Sequence, residues 1–308
     1  MREETLTRPP ALAPLLARGA LLSPLKRPRP DAALPATRLT FPGLRVDLAR
    51  LAAYERVCGF ATGADALPVT YPHVLGFPLA MRLMSARDFP LPLLGLVHTS
   101  IEITRHTALS ATGAYGLGVR VDRLAPHRRG TEAVVVTELR DGDVAVWEST
   151  STYLARHRTA GAPEGPREAA GPREAAGPRE AAGPREADGP READGPPLPT
   201  VAEWRLGADL GRRYGAVSGD RNPIHLHPLA ARLFGFPRAI AHGMWTVARC
   251  LAAHGVPDAA HVHAEFRAPV LLPGTVRYAA DGDGRFALHG GERTHLTGRV
   301  VPLGAHGR

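Results

Sequence analysis

The chain has 308 residues, room for two domains or one large one. Its 44% hydrophobic and 22% charged residues are those of an ordinary globular protein enriched in Gly and Pro. Two cysteines, Cys58 and Cys250, exclude a disulfide framework and a cysteine-based zinc site, and fit a reducing cytoplasm. The net charge of +8 is carried by Arg, Lys26 being the only lysine. No nucleic-acid motif accompanies it, so the charge reads as solvated surface or as attraction to phosphorylated carriers or an acidic carrier protein.

Residues 1–35 are rich in Pro and Arg and read as a poorly ordered start. The apolar run from Ala11 to Leu22 is interrupted by Pro14 and Arg18, which argues against a signal peptide. No apolar run approaches the roughly 18–20 residues of a membrane span. Asp47 to Cys58 reads as a helix with Leu48, Leu51, Ala52 and Val57 on its apolar side. Val74 to Met84 reads as a second helix, bent near Pro78. The period then changes. Leu96–Thr104, Gly116–Leu124, Thr131–Leu139 and Val144–Leu154 read as antiparallel strands, with Asp141-Gly142 as a hairpin turn.

Residues 165–194 are five consecutive Gly-Pro-Arg-Glu-Ala-(Ala/Asp) hexapeptides. Pro and Gly at every sixth position prevent a continuous helix, so the stretch reads as a linker without chemistry. Beyond it the order of the first half returns. Thr200–Leu206 reads as a strand, and Ala208–Ser218, Pro228–Leu233 and Ile240–Ala253 as helices, the last apolar nearly all round and so buried. His261–Ala268, Gly274–Ala280, Arg285–His289 and Thr294–Val300 read as strands. Tyr54-Glu-Arg-Val-Cys-Gly59 matches Tyr214-Gly-Ala-Val-Ser-Gly219 at an offset of 160, but Phe60 stands where the second half has Asp220. Two related helix-plus-sheet units follow from that match, only the second with an acid/base pair.

That pair lies in Tyr214-Gly-Ala-Val-Ser-Gly-Asp-Arg-Asn-Pro-Ile-His225. Asn222-Pro223 cannot easily continue a helix, so Asp220 and His225 stand at the two ends of a tight turn. Two proton-handling groups at a fixed separation suit acid/base work on one small reacting centre. Ala241-His-Gly-Met244 follows. A helix starting there would offer free backbone N–H groups and the positive end of its dipole, and Gly243 would let a ligand approach closely. His225-Leu-His227 and His261-Val-His263 could suggest a metal, but no carboxylate or Cys cluster joins them in the sequence. Trp245, Phe234 and Phe236 read as core or pocket lining. His73, His98 and His106 have no acidic partner at the signature spacing.

The string resembles the signature of the MaoC-like, or hydratase 2, dehydratases, through Tyr214, Val217, Ser218, Gly219, Asp220, Asn222, Pro223, Ile224, His225 and Ala231. Pro68-Val-Thr-Tyr-Pro72 and Gly95-Leu-Val-His98 resemble the degenerate repeat of the actinobacterial double hot-dog members. The resemblance implies an α+β double hot-dog: a poorly ordered segment (1–35), a degenerate repeat (36–160), a linker (161–199) and a catalytic repeat (200–308). It implies a (3R)-3-hydroxyacyl thioester dehydratase, or trans-2-enoyl thioester hydratase, with no cofactor and no metal. Its substrate would be an acyl-CoA or acyl-carrier-protein thioester. Asp220 and His225 would be catalytic, Gly243 the oxyanion donor, and Asn222 and His242 supporting. It also implies that the first repeat houses the acyl tail, loosening between Phe60 and Pro72. Two other readings stay open: a non-catalytic acyl-thioester-binding protein and a structural subunit. A homodimer of chains is compatible with each.

Overall fold

The computed structural model describes residues 2–158 and 196–304. The repeated hexapeptides lie outside the described residues. The chain opens with β1 (Arg2–Thr5), α1 (Leu12–Leu22) and a short 3-10 turn, Ser23–Leu25. The first repeat follows with β2 (Thr37–Arg45), α2 (Leu48–Cys58), α3 (Tyr71–Met84), β3 (Val97–Arg105), β4 (Ala114–His127), β5 (Gly130–Asp141) and β6 (Val144–Arg156). The second holds β7 (Thr200–Leu206), α4 (Leu210–Ser218), α5 (Pro223–Leu226), α6 (Pro228–Leu233), α7 (Gly243–His254), β8 (Ala260–Phe266), β9 (Gly274–Ala280), β10 (Arg285–Gly290) and β11 (Arg293–Pro302).

All these strands join one 11-stranded sheet, ordered β1-β2-β4-β5-β6-β3-β8-β11-β10-β9-β7. Numbered within its own repeat, each half runs first, third, fourth, fifth, second, and the two second strands meet at the β3–β8 seam. That shared order is the double hot-dog arrangement. Each sheet half wraps one helix. In α3, 11 of 14 residues are buried, as an all-round apolar helix requires. Pro78 lies inside α3 and forfeits one ladder hydrogen bond, a cost of about 3 kcal/mol offset by this burial.

Local chemistry sets the boundaries. Asp47 caps α2 by accepting from the Ala49 and Arg50 amides. α2 and α4 both end on a left-handed glycine, Gly59 and Gly219, each at φ +82°. Any side chain there would be strained, which explains why the match between repeats extends through this position. α7 starts three residues later than the apolar pattern suggests. Ile240 forms an isolated bridge to Leu271, and the Ala241 amide donates to the Val270 carbonyl at 2.8 Å. The extended chain at 240–242 therefore serves the sheet before the helix begins.

Residues 1–35 read from composition as poorly ordered, but residues 2–35 are docked on the first repeat. β1 pairs in parallel with β2. Ser23 Oγ accepts from the Leu94 amide at 2.9 Å and donates to the Gly19 carbonyl at 2.7 Å. Lys26 Nζ donates to the carbonyls of Ala86, Arg87 and Phe89 at 2.9, 2.6 and 2.6 Å. These long-range partners outweigh a composition that favours coil. The Phe60–Pro72 stretch, expected to loosen, is also pinned: Leu67, Val69 and Thr70 are buried, and Trp147 Nε1 donates to the Val69 carbonyl at 2.8 Å.

Arg105 ties the repeats together. Its guanidinium, nearly out of solvent, donates to the carbonyls of Leu67, Val256, Pro257 and Asp258. A buried arginine is tolerated only when its donors are paired, and here the acceptors come from both halves.

Candidate active site

The signature turn is seated on α4 by two glycines four residues apart. A Cβ at Gly211 would overlap the His225 carbonyl oxygen, and one at Gly215 would come within 2.8 Å of the Asp220 carbonyl. Glycine weakens a helix, so two on one face mark a surface that another backbone must touch. Sequence reasoning missed this pair, although its spacing within Leu210-Gly-Arg-Arg-Tyr-Gly215 was the available signal.

Beyond Gly219 the chain turns tightly. Ser218 Oγ donates to the Tyr214 carbonyl and accepts from the Asp220 amide. Asp220 Oδ1 accepts from the Asn222 amide at 3.1 Å. Asn222 Oδ1 accepts from the Ile224 amide at 3.4 Å and caps α5, a one-turn helix inside the stretch that the sequence presents only as a turn. Pro223 is its first residue, where a missing N–H costs nothing. The cap and the proline together place His225 one helical turn beyond Asp220's loop.

His225 is buried, and its Nδ1 lies 2.8 Å from the Ile240 carbonyl. A carbonyl only accepts, so Nδ1 carries the proton and Nε2 is left with its lone pair. Burial lowers the His225 pKa, with Asp220 and the Ile240 bond opposing, so the ring is neutral near pH 7.

His242 stacks on His225 with ring centroids 3.8 Å apart and 26° between planes. Its Nε2 lies 2.9 Å from the Asp220 backbone carbonyl and 3.9 Å from Asp220 Oδ2, while its buried Nδ1 has no protein partner. Burial, helped by His225, pushes its pKa down to about 3 against the pull of Asp220. Tyr214 packs against this ring as well, at 4.8 Å.

Asp220, His225 and His242 offer ligand atoms within 4.8 Å of one another. Proximity of that kind could hold a metal ion. Yet lone pairs lie in the ring planes, and two stacked imidazoles hold theirs side by side rather than converging on one point. The arrangement suits proton handling better than ligation.

Gly243 is the first residue of α7, so its N–H precedes the helix's own ladder and lies at the positive end of the dipole. A Cβ there would meet the Phe266 ring at 2.9 Å. The glycine thus lets an aromatic ring from β8 lie directly against the helix start. Trp245 is buried core, its Nε1 donating to the Val57 carbonyl at 3.0 Å, whereas Phe234 is exposed.

The other histidines sort by environment. His227 Nδ1 accepts from the Leu229 amide and caps α6. His261 Nδ1 lies 3.2 Å from Thr104 Oγ1. His263, for which the sequence showed no carboxylate cluster, sits between Glu102 and Glu265 at 3.6 and 3.5 Å across the β3–β8 seam, and Glu265 raises its pKa. The fold also brings first-repeat residues to the site. Both His73 and Tyr153 lie close enough to Asp220 to feel its charge.

Comparison with known proteins identifies the family. Residues 195–292 match the family model described as "MaoC like domain". Over 288 residues the chain is 38% identical to 3-hydroxyacyl-thioester dehydratase X of Mycobacterium tuberculosis, covering 92% of this chain and 93% of that protein. The crystal structure of HtdX from the same organism superposes with a TM-score of 0.69 at 34% identity, over 86% of this chain and 100% of the other. A MaoC-like dehydratase from Phytophthora capsici shares the fold with a TM-score of 0.66 at 19% identity, over 91% and 100% of the chains. A further M. tuberculosis protein, described as a double hot-dog, shares it with a TM-score of 0.50 at 13% identity, over 89% and 99%. With one relative this similar along nearly its whole length, and with the signature turn intact, the chain belongs to the MaoC-like dehydratase family.

Proposed function

We propose that the chain is a 3-hydroxyacyl-thioester dehydratase acting on the (3R) alcohol, with Asp220 and His225 as its catalytic pair and Gly243 as an oxyanion donor. The observation that carries this reading is the hydrogen bond from His225 Nδ1 to the Ile240 carbonyl. It fixes the tautomer that presents a basic Nε2, on a neutral ring beside a carboxylate.

Dehydration removes a weakly acidic C2 proton and expels the C3 oxygen. His225 Nε2 takes the C2 proton, and the electron pair moves onto the thioester oxygen. The Gly243 N–H stabilises that developing charge, a contribution of about 3–4 kcal/mol for one such donor. The pair then moves to form the C2–C3 double bond as the C3–O bond breaks. The leaving oxygen takes a proton from the Asp220/His225 pair and departs as water. One proton enters the pair and one leaves it, so the enzyme ends as it began. Asn222 and His242 support the pair: Asn222 holds the turn and α5, and His242 packs flat against the catalytic imidazole. The thioester is carried by coenzyme A or an acyl-carrier protein, and the acyl tail runs into the first repeat.

No helix among the described residues is long and apolar enough to cross a membrane.

The test is hydration of a trans-2-enoyl-CoA, followed as loss of enoyl ultraviolet absorbance. The wild type is expected to consume it, and Asp220→Asn and His225→Ala to lose most activity. Tight acyl-CoA binding without turnover would instead indicate a binding protein.

A further inference from the structure

The inner wall of the first repeat carries polar groups where an alkyl tail would call for apolar ones. At its head, His98 of β3 stacks on Tyr153 of β6 with centroids 4.5 Å apart and 19° between planes. His98 also lies 6.0 Å from His73 of α3 and 4.7 Å from Phe266. Phe266 is the ring that covers Gly243, so this cluster adjoins the proposed oxyanion donor. Ser151 and Ser149 continue from Tyr153 along the same face of β6, both buried, each step about 6.8 Å for two residues.

Along this row His73 Nδ1, His98 Nε2 and Ser149 Oγ have no hydrogen-bond partner among the described residues, and Ser151 Oγ has only the neighbouring Tyr153 phenol. His73, Ser149 and Ser151 are each at least nine-tenths buried. Every such orphan costs about 1–3 kcal/mol, and native interiors hold few of them. Several along one strand face mark a place where something outside the chain can supply the partners. A saturated tail would leave them unpaired. The groups of this row are imidazole, phenol and hydroxyl, and the nearby charge is the Asp220 carboxylate. Burial keeps both imidazoles neutral, His73 down to about 4 and His98 well below its usual value. The row therefore suits a neutral oxygen and disfavours an anionic one.

We propose that this row is a polar acyl-chain subsite, and that it selects acyl thioesters bearing a hydroxyl or carbonyl oxygen on the chain beyond C3. This rests on the dehydratase reading and narrows its substrate class.

The test compares trans-2-octenoyl-CoA with its 5-, 6- and 7-oxo analogues, reading kcat/KM for hydration. One oxo position is expected to exceed the parent by about tenfold, as one well-placed buried hydrogen bond allows. That ratio should fall toward one in His98→Phe and in Ser149→Ala. Two variants guard against one failing to fold, and the ratio within each protein cancels loss of active enzyme. If no oxo analogue beats the parent, or the advantage survives in both variants, the subsite is overturned while the dehydratase reading stands. A short unsubstituted enoyl-CoA as the best substrate would overturn the subsite equally, since water would then fill the row. Absence of turnover with every substrate overturns the dehydratase reading, and the subsite with it.

Discussion

The two repeats share a strand order, a left-handed glycine after the first main helix and a buried central helix, yet their helix starts could hardly differ more. α7 begins with Gly243, which has no side chain and whose N–H precedes the helix's own ladder. α3 begins with Tyr71 followed by Pro72, so a bulky side chain stands at the first position and the second has no N–H to give. Phe60 follows Gly59 where Asp220 follows Gly219. Tyr54 and Tyr214, matched between the repeats, face each other with ring centroids 6.1 Å apart. The scaffold is therefore indifferent to whether an end is reactive. In the proposed mechanism the difference lies in a carboxylate after the turn and in a helix that starts on a glycine.

The comparison breaks most sharply if the second repeat is made like the first. Asp220→Asn and His225→Ala should each cut kcat by about 10²–10⁴-fold, read in the enoyl-CoA assay. Gly243→Ala should cost about 10²-fold in kcat, because the new Cβ meets Phe266 and moves the helix start from its donor position. Partial recovery in Gly243→Ala combined with Phe266→Leu would identify the ring as the cause. Arg105→Met tests the tie between halves. It leaves buried carbonyls from both repeats unpaired and should lower unfolding stability by about 2–3 kcal/mol, measured by denaturant titration.

Acidification provides the mildest probe. His73 and His242 are held neutral in the fold, at about 4 and about 3, against an unfolded value near 6.5. Below pH 6.5 the unfolded chain takes up protons that the folded one refuses, so stability falls as pH drops from about 6.5 toward 4. His225 is lowered too, so kcat/KM should hold its plateau below pH 6.5 before falling. A midpoint above 6.5 would contradict a neutral buried base.

Much of this was legible in the sequence. Alternation in β4–β6 and the helix opening at Asp47 read directly, because each depends on neighbours a few residues away. Asp220 and His225 were legible for the same reason, being five residues apart in one turn. What escaped depends on distant partners. His98 and Tyr153 reach the site only through the β3–β8 seam and the stacking on Phe266. Composition misjudges residues 2–35, since Pro and Arg reveal nothing of the carbonyls that Lys26 finds on residues 86–89. The start of α7 was misplaced because its apolar run continues through Ile240 and Ala241, which the sheet uses.

Lys26 has a practical side. An amine-directed reagent has a single lysine side chain to find in this chain, and three carbonyls already occupy it. Its rate of modification is thus a gauge of docking: slow while the leading helix lies against the first repeat, fast once it lets go. A crosslinker, a fluorophore or a surface coupling aimed at lysine would meet the protein at this clasp. It would loosen the leading segment before it reported on anything else.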